Sequence, residues 1–132
     1  MNNRVFVYGS LMGGHAVRGL HKFTGVKKIS NATTSKSDYS LFSLGAFPAV
    51  TLNGPSKING EVWAVDDTVF AELDAIEGYP DFYNRVEVAT TSGVAWMYYL
   101  PDYKALNAGQ RVIADDDNIA RWTNEEATSS WR

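Results

Sequence analysis

Ile58-Asn59-Gly60-Glu61-Val62-Trp63-Ala64-Val65 runs directly into Asp66-Asp67-Thr68-Val69-Phe70-Ala71-Glu72-Leu73-Asp74-Ala75-Ile76-Glu77-Gly78-Tyr79-Pro80. The first eight residues are rich in β-branched and aromatic side chains and read as a strand. The remainder switches period: Val69, Leu73, Ile76 and Glu77 fall at the i, i+4, i+7, i+8 spacing of one helical face, with Phe70 at its edge. Asp66 or Asp67 supplies the N-cap, and the helix runs to about Glu77. Gly78 then stands at the position that favours a left-handed residue, and Pro80 blocks continuation. A strand therefore feeds a helix without a linker.

Strands dominate on both sides of this unit. Arg4 to Tyr8, Tyr39 to Leu44, Ala49 to Leu52, Tyr83 to Ala89 and Val94 to Leu100 all have strand composition. Gly45-Ala46-Phe47-Pro48, Asn53-Gly54-Pro55 and Thr91-Ser92-Gly93 read as turns between them. Ser30 to Ser37 suits an exposed strand or a loop, a short helical turn fits His15 to Phe23, and a short helix fits about Asp117 to Glu126. Strands do not alternate regularly with helices, so parallel α/β winding is not expected. The pattern predicts an α+β fold, a small mixed β-barrel or strongly curled sheet with flanking helices.

Composition sets the outer limits. A chain of 132 residues with 45% hydrophobic and 13% aromatic residues can bury a core without staples, and residues 1–132 read as a single domain. The absence of cysteine excludes disulfides, thiolate nucleophiles and cysteine-ligated zinc, and is compatible with a cytoplasmic protein. A net charge of -3 argues against bulk nucleic-acid binding, since Lys22 and Lys27-Lys28 make no basic stripe. Asp115-Asp116-Asp117 reads as a solvated loop and cap. No stretch is long or apolar enough to span a membrane, and Gly9, Ser10, Gly13 and Gly14 interrupt the first apolar run before it resembles a secretion signal.

Two features carry chemistry. Glu77 occupies a place on the helical stripe where the pattern asks for a hydrophobic residue, and it lies in the last turn. Burial and the negative end of the helix dipole both disfavour the ionised form, as in carboxylates that serve as a general acid/base. The competing reading is a Glu that reaches out to solvent or pairs with Arg85, while Glu72 and Asp74 point off the stripe toward water. The second feature is Val5-Phe6-Val7-Tyr8-Gly9-Ser10-Leu11, a buried strand running into a glycine turn. Either the glycines only turn the chain, or the N–H groups of Gly9, Ser10 and Leu11 bind an oxygen anion.

Other chemistries fit less well. The Gly9 to Gly14 segment has a phosphate-loop skeleton, but His15 and Ala16 replace the required Lys and Ser or Thr. His15 and His21 are not at ligand spacing, no Gly-x-Ser-x-Gly elbow is present, and no metal or cofactor is indicated.

The chain resembles the gamma-glutamylcyclotransferase-like family, particularly its short branch with gamma-glutamylamine cyclotransferase and plant avirulence-induced proteins. The resemblance rests on Val5 to Leu11, Phe47-Pro48-Ala49-Val50, Gly60-Glu61-Val62-Trp63, Leu73 to Gly78, Tyr83-Asn84-Arg85 and Ala95-Trp96-Met97-Tyr98, in that order. It covers residues 4 to about 100, and the tail from about 104 to 132 finds no match. The resemblance implies a β-barrel with a cavity beside Tyr8-Gly9-Ser10-Leu11, Glu77 as the acid/base carboxylate, and Tyr83 and Tyr98 near the substrate. It implies cleavage of a gamma-glutamyl amide to 5-oxoproline and a free amine without a cofactor. Arg85 reads as structural, and Phe47 and Pro48 as cavity wall. A non-catalytic module that binds a small acid or peptide end in the same pocket is the alternative. An interaction protein, hinted at by Trp122 and Trp131, is a third.

Overall fold

The computed structural model describes residues 3–9, 20–44, 47–102, 104 and 110–122. Eight strands and one α-helix are present among them: β1 (Arg4–Val7), β2 (Val26–Thr33), β3 (Tyr39–Ser43), β4 (Pro48–Val65), α1 (Asp67–Glu77), β5 (Asn84–Thr90), β6 (Gly93–Tyr99), β7 (Gln110–Arg111) and β8 (Ile119–Ala120). A single 3-10 turn, Leu20–Lys22, covers the described end of the helical segment expected at His15 to Phe23. Among the described residues, the flanking helices of the sequence reading are α1, this turn and the helical residues Asp102 and Lys104.

β4 organises the sheet. Its first half pairs with β3, and its second half is held antiparallel between β1 and β2. β1 continues to β6 through a parallel bridge, and β6 to β5 through a hairpin. The far ends then meet: Thr34 bridges Thr90, the Ser35 amide donates to the Ala89 carbonyl, and the Thr91 amide donates to the Thr33 carbonyl. This seam curls the mixed sheet back on itself, giving the expected barrel-like form. Neighbouring strands share their polar edges instead of leaving them unpaired.

Alternation along the strands divides the core in two. Val5 and Val7 of β1, Trp63 and Val65 of β4, and Tyr98 of β6 pack against Val69, Phe70 and Leu73 of α1. The intervening residues Phe6, Tyr8, Val62, Ala95 and Met97 fill the barrel interior with Leu41, Val50 and Ile58. β1 is buried on both faces because it separates these two cores.

Two sequence readings are corrected. Asn53-Gly54-Pro55 does not reverse the chain but lies within β4. The register steps from Ser40↔Thr51 to Tyr39↔Ser56, so the intervening residues form a wide bulge. The Ser40 and Thr51 hydroxyls both donate to the Asn53 carbonyl at 3.1 and 3.2 Å, which holds the bulge closed. Second, the helix expected from Asp117 to Glu126 is absent over its described part. Asp115 to Asn118 makes a turn braced by the Asp115 side chain, which accepts from the Asp117 and Ile119 amides. Ile119–Ala120 then joins β4 as a parallel strand. Residues 123–126 lie outside the described residues.

That short strand delivers Trp122 into the barrel core, where it is 3% exposed. Trp122 is therefore a packing residue and not a docking side chain; Trp131 lies outside the described residues. Trp122→Ala should lower unfolding free energy by about 3–5 kcal/mol, as for other buried large aromatics. Chemical denaturation would measure this, and a loss under 1 kcal/mol would contradict the assignment.

Candidate functional site

Helix α1 sets one wall. The Asp66 side chain accepts from the Val69 amide at 2.8 Å, which fixes the first turn. At the other end Gly78 adopts φ 67°, ψ 33°. Its amide donates to the Ala75 carbonyl and the Tyr79 amide to the Asp74 carbonyl, the double bond of a Schellman ending. The chain then folds back: the Phe82 amide donates to the Gly78 carbonyl at 2.8 Å, and the Tyr83 amide to the Glu77 carbonyl at 3.3 Å. Glu77, Phe82 and Tyr83 are brought together by this return.

The opposite wall comes from the end of β1 and the start of β4. Tyr8 is 7% exposed, and its hydroxyl accepts from the Val50 amide at 3.2 Å and donates to the Tyr98 carbonyl at 2.7 Å. Gly9 follows, packed so closely on Pro48 that a Cβ there would lie 2.3 Å from the proline Cγ. Only glycine fits this approach.

Between the walls is a cavity of about 190 Å³, lined by Phe6, Val7, Tyr8, Gly9, Phe47, Pro48, Ile76, Glu77, Phe82, Tyr83 and Tyr98. Six of the sequence-predicted features meet here: Tyr8, Gly9, Glu77, Tyr83, Tyr98 and the Phe47-Pro48 wall. Ser10, Leu11 and His15 lie outside the described residues. Among the described residues, Glu77 is the one carboxylate on the lining, and no Lys, Arg or His joins it. Among the described residues no group of three or more His, Asp or Glu side chains is placed to hold a metal ion.

The phenols have a common polarity. Tyr8 donates its proton to the Tyr98 carbonyl, Tyr83 to the Pro48 carbonyl at 2.5 Å, and Tyr98 to Asp74 Oδ1 at 2.6 Å. Each proton is committed inside the protein, so toward a ligand these oxygens act as acceptors only. Together with the Glu77 carboxylate they make a recess suited to a donor, such as an ammonium or an N–H group.

Sequence reasoning missed the support behind Tyr98. Asp74 does not point to water: its carboxylate accepts from Arg85 Nε at 3.0 Å and from Arg85 Nη2 at 3.3 Å, besides the Tyr98 hydroxyl. The Arg85 guanidinium lies over the rings of Phe70, Tyr79 and Trp96, at 4.8, 4.4 and 4.7 Å from their centroids. Arg85 is thus structural, as expected, but its ion pair is with Asp74. Ile76, expected on the buried stripe, is 40% exposed at the cavity instead. The usable signal was the Asp74, Glu77 spacing, which sets two carboxylates on neighbouring parts of one helix face.

Burial, reinforced by the charge of Glu77, pushes the Tyr8 phenol far above the ordinary value, despite the favourable Val50 hydrogen bond. For Tyr98 the causes are burial, then its hydrogen bond to Asp74 and the charges of Asp74 and Glu77, with Arg85 opposing. A raised phenol pKa stabilises the fold fully below the ordinary value of 10.0, and that contribution is lost as pH rises above it, because the unfolded chain ionises first. Denaturation from pH 9 to 11 should show stability falling with a slope approaching about 1.4 kcal/mol per pH unit for each phenol. Tyr98→Phe should remove one phenol's share, and a flat profile would contradict these environments.

Comparison with known proteins gives a consistent result. Residues 5–123 match the family model described as gamma-glutamyl cyclotransferase, AIG2-like, which extends beyond the motifs that ended near residue 100. The gamma-glutamylcyclotransferase family protein YtfP of Escherichia coli K12 is 37% identical over 118 residues, covering 89% of this chain and 97% of the relative. The solution structure of Escherichia coli ytfP superposes with a TM-score of 0.67 at 28% identity, covering 92% of this chain and 97% of that one. An AIG2-like protein from Mus musculus shares the fold at a TM-score of 0.65 and 18% identity, covering 74% and 76% of the two chains.

Proposed function

The chain belongs to the gamma-glutamyl cyclotransferase, AIG2-like family, and from that premise we propose that it cleaves a gamma-glutamyl amide by internal attack, with Glu77 as general acid/base. The observation that carries the proposal is the lining of the cavity: one carboxylate at a helix end, faced by phenol oxygens that can only accept.

The substrate's α-ammonium is the donor that such a recess fits. Glu77 takes one proton from it, which frees the amine lone pair. The amine attacks the γ-carbonyl carbon and closes a five-membered ring. As the tetrahedral centre collapses, the bond to the leaving nitrogen breaks and Glu77 returns its proton there. The second proton of the ring nitrogen follows through Glu77 to the departing amine, which leaves as an ammonium. The products are 5-oxoproline and an amine, and no water is consumed. The amide of Gly9, with those proposed for Ser10 and Leu11, would hold a substrate oxygen, either the α-carboxylate or the developing oxyanion.

Nucleophile and electrophile belong to one molecule, so the protein's main task is to hold a folded conformer. Positioning of this kind can lower a barrier by roughly 7–11 kcal/mol. A cavity of about 190 Å³ suits the task. A space of about 150 Å³ encloses benzene, so a glutamyl group fills this one and the leaving amine projects through the mouth. No helix among the described residues is long and apolar enough to cross a membrane. We take the substrate to be a small metabolite met in the cytoplasm, handled by one domain.

Glu77→Gln keeps the shape of the side chain and removes the base. It should leave the circular-dichroism spectrum intact and reduce 5-oxoproline release from gamma-glutamyl amides by roughly 10²–10⁴-fold. Full activity of the variant would refute the assigned role. Stoichiometric binding of these amides by the wild type without product would instead favour a binding module.

A further inference from the structure

We propose that the mouth of the cavity is a subsite for an uncharged, apolar leaving amine, read by Phe82 together with Ile76 and Phe47. The proposal rests on the cyclotransferase reading of Glu77 and names the substrate class which that reading leaves open.

Exposed apolar side chains are common singly. Here two large ones, Ile76 at 40% and Phe82 at 43% exposed, both border one cavity. Phe47 joins them, its ring edge-on to Phe82 at 6.4 Å between centroids. Phe82 in turn stands edge-on to Tyr83 at 5.0 Å. Its backbone is pinned, since its amide donates to the Gly78 carbonyl at 2.8 Å and its carbonyl accepts from Lys104 Nζ at 3.4 Å. The rim is therefore a fixed hydrocarbon surface and not a chance exposure.

The lining separates by polarity. Tyr8, Tyr98 and Glu77 supply oxygen, whereas Ile76, Phe47 and Phe82 supply carbon. A glutamyl group uses the oxygens, which leaves the carbon surface for what is attached to its γ-carbonyl.

Charge narrows the choice. The rim side chains Phe47, Ile76 and Phe82 carry no polar or charged group, so a carboxylate on the leaving group would lose water against them with no partner from them in return. Lys104 lies 5.7 Å from the Phe82 ring centroid, but its ammonium donates to the Asp81 and Phe82 carbonyls, at 2.7 and 3.4 Å. It serves to tie down the loop. A charged leaving group also gains nothing from displacing water off the rim, while an alkyl or aryl group does.

The test is a series of gamma-glutamyl amides of methylamine, propylamine, butylamine, benzylamine, glycine and 1,4-diaminobutane, with kcat/KM read from 5-oxoproline release. Wild type should gain about threefold per methylene from methyl to butyl, and prefer the benzylamide to the glycine conjugate by tenfold or more. Phe82→Ala should flatten the butyl-to-methyl ratio toward unity. Ile113→Ser, a change at a side chain 85% exposed and away from the cavity lining, should leave that ratio unchanged. A wild-type preference for the glycine or diamine conjugate, or an undiminished ratio in Phe82→Ala, would overturn the proposal. If wild type turns over none of the amides, the cyclotransferase reading fails on its own. Calorimetric Kd values for the same amides then judge the rim: tighter binding with chain length, lost in Phe82→Ala, supports it, and no length dependence overturns it.

Discussion

The Tyr8 hydroxyl, held between the Val50 amide and the Tyr98 carbonyl, is the interaction on which the site depends. β1 ends at Val7, and among the described residues no strand lies beyond it between the first half of β4 and the end of β6. A buried amide and carbonyl left unpaired there would cost roughly 1–3 kcal/mol each. The phenol answers both groups, and beside it the Leu100 amide donates to the Val50 carbonyl at 2.9 Å. Tyr8, held in this way, lines the cavity beside Gly9 and Pro48.

The second constraint is the contrast in surroundings between two carboxylates on α1. Asp74 and Glu77 lie three residues apart, close to the same face, yet their surroundings differ. Asp74 receives a two-pronged Arg85 guanidinium and the Tyr98 hydroxyl, and Arg85 is itself enclosed by three aromatic rings. Its charge is spent on structure. Glu77 borders the cavity, where the facing phenols already donate their hydrogen bonds to the protein's own acceptors. Setting neighbouring carboxylates in contrasting environments is a general way to assign one to architecture and the other to proton transfer.

Local rules made the fold legible wherever the signal was local. The Asp66 cap, the Val69, Phe70, Leu73 stripe and the left-handed Gly78 all follow from spacing and residue type, and so does the two-sided burial of β1. What escaped depended on partners distant in sequence. Asn53-Gly54-Pro55 has turn chemistry, but two hydroxyls from β3 and β4 trap it as a bulge. Asp115-Asp116-Asp117 read as a loop capping a helix from about Asp117, yet the Asp115 side chain closes a turn and pairing with β4 makes Ile119–Ala120 a strand. At the site, the odd placement of Glu77 was visible from periodicity and Gly9 from the glycine turn after β1, while the resemblance supplied Tyr8, Tyr83 and Tyr98. The direction of each phenol proton was not visible, since it is set by carbonyls of Tyr98 and Pro48 and by Asp74. Asp74 was misread because its partner, Arg85, lies beyond the turn.

The central claim is that an amine nitrogen sits against Glu77 while an oxygen lies toward the glycine turn. A crystal structure with 5-oxoproline bound tests it most directly. The account predicts the ligand in the cavity, with its ring nitrogen within hydrogen-bonding distance of a Glu77 carboxylate oxygen. A ligand bound with its ring nitrogen turned away from Glu77, or bound outside the cavity, would contradict it.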